Sequence, residues 1–137
     1  MIFTQLIKEN LKTQFIGREL EYKSFTDSTN SDIWKLVSDN KAKNGTLIIT
    51  DDQRKGKGRR ENTWISSPEK NLSFSFLLIP QLENTKFGLL SLLSGVGMCE
   101  GIEQSCGIVC KLKWPNDILI KNKKVGGILI ETKEINN

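Results

Sequence analysis

Apolar positions change their period several times along the chain, and each change marks the border of a predicted element. Phe3, Leu6, Ile7 and Leu11 recur at helical spacing, which predicts a first helix over residues 3–15. Residues 21–25 form a short strand candidate. Asp27-Ser28-Thr29-Asn30 then sets several N-cap residue types directly before Ile33, Trp34, Leu36 and Val37, predicting a second helix. Residues 41–45 are mostly polar and end in glycine, as a turn would, and the β-branched run 46–50 predicts a buried strand. Residues 51–62 hold no apolar side chain and read as a loop. Leu72, Phe74, Phe76 and Leu78 alternate with Ser73, Ser75 and Leu77, the period of two of a strand.

The longest helix is predicted over residues 86–105, with Phe87, Leu90, Leu93, Gly97 and Gly101 along one face. Gly95, Gly97 and Gly101 lower its intrinsic propensity, so close packing against a sheet must compensate. Strands are predicted at 109–114 and 118–121 around Pro115-Asn116-Asp117, then a turn at 122–124 and a return strand at 125–131. No repeat, low-complexity tract or linker interrupts the pattern. The expected fold class is α/β (α+β): one unit over residues 1–137, with a mixed, mainly antiparallel sheet flanked by helices. The chain ends a few residues past a predicted strand, so further sequence is expected to follow.

Composition narrows the chemistry. A chain of 137 residues, 37% hydrophobic and 26% charged, suits one folded domain rather than a disordered segment. No apolar run approaches a membrane span and residues 1–10 do not read as a secretory signal, so the expected location is the cytoplasm, with no membrane partner. Cys99, Cys106 and Cys110 lack metal-knuckle spacing and read as small buried apolar residues. Histidine is absent, which removes Ser-His-Asp and Cys-His catalysis and most zinc chemistry, and no protein metal ligands are assigned. Catalysis would have to come from Lys, Arg, carboxylates, backbone amides or a bound ion.

The net charge of +4 is concentrated, because Arg54, Lys55, Lys57, Arg59 and Arg60 fall together. In Gln53-Arg54-Lys55-Gly56-Lys57-Gly58-Arg59-Arg60-Glu61-Asn62-Thr63-Trp64, two glycines allow close backbone approach and the cations supply charge for a phosphate. A solvated basic turn and a nucleic-acid backbone contact stay open on composition, although a single nearby aromatic, Trp64, poorly supports a stacking platform. No Gly-Lys-Ser/Thr follows, so the loop is not a Walker A motif. In Lys111-Leu112-Lys113-Trp114-Pro115-Asn116-Asp117, a strand would point Lys111 and Lys113 to the same face as Val109. Lys113 is then either a holder of an anionic group or an edge lysine that snorkels to solvent. Gly126-Gly127 inside a strand reflects either close approach of a ligand or backbone, or a bulge.

Taken in order, Asp27-Ser28-Thr29-Asn30, Gln53 with Gly56-Lys57-Gly58-Arg59-Arg60, Trp64, Ser67-Pro68, Asn71-Leu72, Lys113-Trp114-Pro115-Asn116-Asp117 and Gly126-Gly127-Ile128-Leu129-Ile130-Glu131 resemble the signatures of biotin protein ligases. The resemblance implies the biotin/lipoate protein ligase catalytic-domain fold and a two-step reaction. Biotin carboxylate attacks the α-phosphate of ATP to give biotinyl-5′-adenylate and pyrophosphate, and a lysine of biotin carboxyl carrier protein or a related carboxylase subunit then takes the biotinyl group. It assigns biotin contacts to Ser28, Thr29, Asn30, Gln53, Gly56, Lys57, Gly58, Arg59, Lys113, Gly126 and Gly127. It assigns nucleotide contacts to Lys57, Arg59, Arg60, Trp64 and Asn116, and the catalytic role to Lys113 and Arg59. Mg²⁺ would arrive on the ATP oxygens. The Lys-Trp-Pro-Asn-Asp string argues against a lipoate or octanoyl transferase of the same fold; a biotin-binding module without activity is a further alternative.

The chain departs from that pattern at Lys57, where Arg is usual, and at Glu61-Asn62, where Gly-Arg often continues. Lysine lacks the planar two-pronged contact to phosphate, so the grip on nucleotide is expected to differ. The space before Glu21 leaves no room for a winged helix-turn-helix, so a DNA partner is not expected; a homodimer is left open. Because strands beyond residue 131 would be missing, exposed sheet edges and self-association are expected.

Overall fold

The structure, a computed structural model, describes residues 2–134, and the chain divides into two compact units between residues 80 and 81. In the first unit, the order is α1 (Thr4–Asn10), β1 (Leu20–Lys23), α2 (Thr29–Ser38), β2 (Leu47–Thr50), β3 (Gly56–Lys57), a 3-10 turn (Arg59–Glu61), β4 (Thr63–Trp64) and β5 (Ser73–Phe76). β2 is the central strand. It pairs in parallel with β1, joined through α2, and antiparallel with β5. A parallel pair needs such a crossover, and the helix forms because Ser28 caps it, its hydroxyl accepting from the Ser31 N–H at 3.4 Å.

The register sorts the side chains by face. Leu47 lies opposite Phe76 and Ile49 opposite Phe74, and the two phenylalanine rings stack with centroids 6.5 Å apart. The other face carries Ile48 opposite Ser75 and Thr50 opposite Ser73, and α2 packs on β2 and β5. All four residues of β2 are buried, and with Ile33 of α2 they form the core of this unit. Burying a side chain such as Ile48 contributes about 1.5–3 kcal/mol. The α2 side of the sheet is polar at one end, where Thr26, Ser28, Thr29 and Thr50 are buried and must find hydrogen bonds.

In the second unit, a 3-10 turn (Asn84–Lys86) leads into α3 (Gly88–Cys106), followed by β6 (Lys111–Lys113), β7 (Asp117–Ile120) and β8 (Lys123–Gly127) in an antiparallel sheet of order β6-β7-β8. The Trp114–Pro115 peptide between β6 and β7 is cis. Ile118 is the buried centre, and α3 packs on β6 and β7. Gly95 makes that packing close: a Cβ there would stand 2.8 Å from a Leu112 methyl. Gly107, with φ +66°, ends α3 in the left-handed conformation glycine favours.

Several boundaries differ from those the sequence predicts. α1 is shorter than residues 3–15, with Phe3 and Leu6 exposed, because no neighbouring apolar surface covers that stripe. The loop 51–62 contains the short strand β3 and the 3-10 turn. The glycine that meets the sheet is Gly95; Gly97 and Gly101 have open space beside them and Leu93 is exposed, so the packed face of α3 is rotated from the predicted one. Val109 precedes β6 and is exposed, while β8 starts before and stops short of the predicted 125–131. Cys110 is buried and Cys99 half-buried, but Cys106, in the last turn of α3, is exposed, against the reading of all three as interior. The described strands form three sheets, and only the β1–β2 pair is parallel.

Candidate functional site

The polar end of the first unit gathers residues from three stretches of sequence. Thr26 and Gln53 form a parallel bridge: the Thr26 N–H donates to the Asp52 carbonyl at 2.9 Å, and the Arg54 N–H donates to the Thr26 carbonyl at 2.8 Å. That clasp sets Gln53 beside the first turn of α2. Its side-chain Oε1 accepts from the Thr29 N–H at 2.9 Å and lies 3.1 Å from the Thr29 hydroxyl. One of the helix's orphan amides is thereby satisfied by a side chain far away in sequence. The Thr29 hydroxyl also lies 2.7 Å from the Ser75 hydroxyl, which in turn donates to Asn30 Oδ1. Gln53 Oε1 and Asn30 Oδ1 are the acceptors of this network, and Gln53 Nε2 lies against Gly56.

Next to this cluster, β3 and β4 make a two-stranded ribbon in which Gly56 faces Trp64 and Lys57 faces Thr63. Gly56 is buried, and a Cβ there would stand 2.5 Å from the Trp64 carbonyl oxygen and 2.8 Å from Gln53 Nε2. Glycine is required here by close approach of two backbones and the Gln53 amide. The ribbon turns through Gly58, whose N–H donates to the Asn62 carbonyl at 2.7 Å, with Arg60 and Glu61 both at positive φ. Such non-glycine backbone is strained by about 1–3 kcal/mol per residue and persists where the surroundings impose it.

The cations of this loop are spread over different partners. Arg54 pairs with Asp52 at 3.1 Å and stacks over the Phe25 ring at 4.0 Å. Lys55 pairs with Asp27 at 2.7 Å, and the Lys57 ammonium donates to the Ser31 hydroxyl of α2 at 3.0 Å. Lys57 therefore leans over the same helix start that holds Thr29 and Asn30. Arg59 and Arg60 are exposed at the tip, and Trp64 is half-buried at the base.

In the second unit, Lys113 sits at the end of β6, opposite Asp117, and is exposed, as is Lys111. β6 is an edge strand of its described sheet and is exposed throughout. Asn116 clasps the same end of the sheet, its Nδ2 donating to the Ile128 carbonyl at 3.0 Å while the Ile128 N–H donates to the Asn116 backbone carbonyl at 3.0 Å. A cavity of about 130 Å³ opens beside Lys113, Trp114, Pro115 and Asn116, closed from below by Ser91, Gly95 and Leu112. Gly126 has a local cause. The register steps from Ile118–Gly126 to Leu119–Lys124, making Val125 the extra residue of a bulge, and a Cβ on Gly126 would press on Ile118 at 3.3 Å. Lys124 reaches Asp117 at 2.8 Å.

Ser28, Thr29, Asn30, Gln53, Gly56, Lys57, Gly58, Arg59, Arg60 and Trp64 thus belong to the first unit, and Lys113, Asn116, Gly126 and Gly127 to the second. Sequence reading missed Ser75, which closes the hydrogen-bond chain; its signal was the polar side of the alternating 72–78 strand. Among the described residues no group of three His, Cys, Asp or Glu side chains is placed to hold a metal ion, and no helix is long and apolar enough to cross a membrane.

The sequence profile of the biotin/lipoate A/B protein ligase family matches residues 22–137. The chain is 39% identical over 125 residues to the bifunctional ligase/repressor BirA of Bacillus subtilis, covering 91% of this chain and 38% of that protein. It is 32% identical over 109 residues to the biotin–[acetyl-CoA-carboxylase] ligase of Paracoccus denitrificans, covering 78% of this chain and 44% of that one. The biotin protein ligase of Aquifex aeolicus, solved in complex with biotin and ATP, superposes with a TM-score of 0.72 at 36% identity, over 85% of this chain and 48% of that one. The chain spans about half or less of the length of these relatives. A profile match over most of the chain, the curated relatives and the shared fold agree: the chain belongs to the biotin/lipoate A/B protein ligase family, among the biotin protein ligases.

Proposed function

We propose that this chain carries the biotin-binding and adenylate-forming face of an ATP-dependent biotin protein ligase. The observation that carries the reading is the hydrogen-bonded chain Gln53–Thr29–Ser75–Asn30, which gathers hydroxyl and amide donors beside the start of α2. A urea carbonyl, which offers only acceptors, suits such donors, and an α-helix start adds a favourable dipole. The biotin contacts are then Ser28, Thr29, Asn30 and Gln53, with Gly56 allowing the ribbon to approach.

The chemistry asked of the protein is modest. A carboxylate is already ionised at neutral pH, so attack on the α-phosphate needs no general base. It needs two anions aligned and the charge developing on phosphorus neutralised. Lys113 and Arg59 are the side chains we assign to that charge, with Lys57 and Arg60 on the phosphates, Trp64 and Asn116 on the nucleoside, and Gly126 and Gly127 along the acid. Magnesium would supply charge neutralisation on the nucleotide oxygens when ATP is bound; among the described residues no group of His, Cys, Asp or Glu is placed to cage a resident ion. The basic loop, closing over the mixed anhydride, excludes water that would hydrolyse it. The acceptor is the lysine of a biotin carrier protein. Arg54, Lys55 and Lys57 are engaged by Asp52, Asp27 and Ser31, which supports a small-molecule role over a nucleic-acid backbone contact.

Titration calorimetry with biotin, then with ATP–Mg²⁺ and a pyrophosphate assay, tests this. Heat with biotin and release of pyrophosphate are expected. Biotin binding without pyrophosphate would reduce the chain to a binding module, an outcome that its partial span of the relatives keeps in play. A folded chain, checked by circular dichroism, that ignores biotin would sink the proposal.

A further inference from the structure

We infer that Asp32 is a positioning residue for the biotin-facing side of the first unit, acting through Thr26 on Gln53; this rests on the reading just given. Asp32 lies in the first turn of α2 but takes no part in the Gln53–Thr29–Ser75–Asn30 chain. Its Oδ2 instead accepts from the Thr26 hydroxyl at 2.6 Å and from the Lys23 ammonium of β1 at 3.1 Å. Thr26 is buried and is the residue whose backbone brackets Gln53, receiving the Arg54 N–H and donating to the Asp52 carbonyl. One carboxylate oxygen therefore ties together the end of β1, the start of α2 and the strand segment that delivers both Gln53 and the basic loop.

The two ends of the Gln53 side chain's environment are fixed by different means. Thr29 fixes the amide oxygen, and Thr26 fixes the backbone from which that side chain springs. Without the Asp32 anchor the Thr26 hydroxyl is a buried donor lacking its partner, and the bracket is free to shift relative to α2. A shift of the bracket moves Gln53 Oε1 off the 2.9 Å geometry it now has with the Thr29 N–H. The basic loop begins at Arg54, on the far side of the same bracket, so its order is coupled to Asp32 as well.

The test uses the full chain and two readouts. Asp32→Ala is expected to weaken biotin binding by about tenfold, the size of losing one charge-assisted hydrogen bond. It is also expected to speed hydrogen exchange of the Arg54 and Thr26 amides by a similar factor, with exchange in β2 unchanged. Thr26→Val should reproduce both effects, and Thr26→Ser, which keeps the hydroxyl, should restore both. Exchange at Arg54 unchanged by Asp32→Ala would overturn the inference. So would a rise of equal size across β2, because that describes a residue that only stabilises the fold. If the unaltered chain binds no biotin, the proposed function fails, while the exchange of Arg54 and Thr26 still decides whether Asp32 holds the bracket.

Discussion

Replacing Gly56 by alanine adds one methyl group where there is no room for it. The new Cβ would stand 2.5 Å from the Trp64 carbonyl oxygen, an atom of the paired strand's backbone, and 2.8 Å from Gln53 Nε2. The first is backbone and cannot be turned away, and the second is relieved only by swinging the Gln53 side chain, which disturbs its bond to Thr29. Two responses are open to the molecule. It can keep the ribbon and absorb the overpacking, which costs about 1–3 kcal/mol. At roughly 4–8 °C per kcal/mol for a domain the size of the first unit, melting would then fall by at least about 4 °C. Alternatively β3 and β4 part, and since their two-position ladder is a sheet of its own this leaves the main sheet intact. In that case the melting temperature holds but Gln53 and the basic loop move, and biotin affinity falls by about tenfold or more. Gly58→Ala is the comparison: its Cβ would meet the Asn62 carbonyl oxygen at 3.2 Å, a contact that a few tenths of an ångström relieve. Thermal melting and biotin calorimetry on both variants give the answer. Gly56→Ala matching the unaltered chain in melting and affinity would refute the account of that glycine and of how the ribbon seats Gln53.

Lys113→Ala is expected to reduce pyrophosphate release far more than biotin affinity, measured by coupled assay and calorimetry; equal losses would contradict its assigned charge-neutralising role. Ile118→Ala, at the buried centre of the second unit, should destabilise by about 2–5 kcal/mol, read from denaturant unfolding. The cysteines should separate on alkylation: exposed Cys106 reacts first, while Cys99, whose thiol is pushed up by burial and by neighbouring Cys110, needs a higher pH for the same rate. The hydrogen bond from Lys43 holds the Glu19 carboxyl below its ordinary value of 4.5, so the small stabilisation from this exposed pair is complete above that pH and lost as pH falls through the lower folded value. Lys43→Ala should flatten that acid limb by slightly lowering the plateau above it, leaving stability at the acid end unchanged.

The elements that the sequence made legible are those where local pattern and burial agree. The 46–50 run is apolar and β-branched because β2 is covered on both faces, and Ser28 precedes α2 because a helix start needs an oxygen there. The ordered motifs likewise marked out Thr29 and Gln53, which the fold joins by a hydrogen bond across the chain. What stayed hidden was set by partners distant in sequence. Which glycine of α3 meets the sheet depends on where Leu112 arrives, and helical spacing cannot supply that. The Gly126-Gly127 pair admitted two explanations, and the bulge at Val125 with Ile118 beneath Gly126 gives a structural one that needs no ligand. Cys106 was read as interior from its chemistry, whereas its place in the last turn of a helix leaves it in solvent.

The hydroxyl residues explain most about the limits of sequence reading here. Ser73 and Ser75 alternate with apolar residues, a pattern in which serine usually faces water. In the structure that side lies under α2, and Ser75 survives there because Thr29 and Asn30 complete its hydrogen bonds. Thr26 and Thr50 are buried on the same terms, one bonded to Asp32 and the other folded back onto the Asp52 backbone. A polar layer between helix and sheet contributes less to stability than an apolar one of equal volume would, because each group only recovers what it lost on leaving water. Its retention at the one end of the unit where Gln53 and the glycine ribbon converge is therefore better accounted for by binding than by folding. Replacing Ser75 with alanine separates the two: as a binding device the network loses biotin affinity while its melting point changes little.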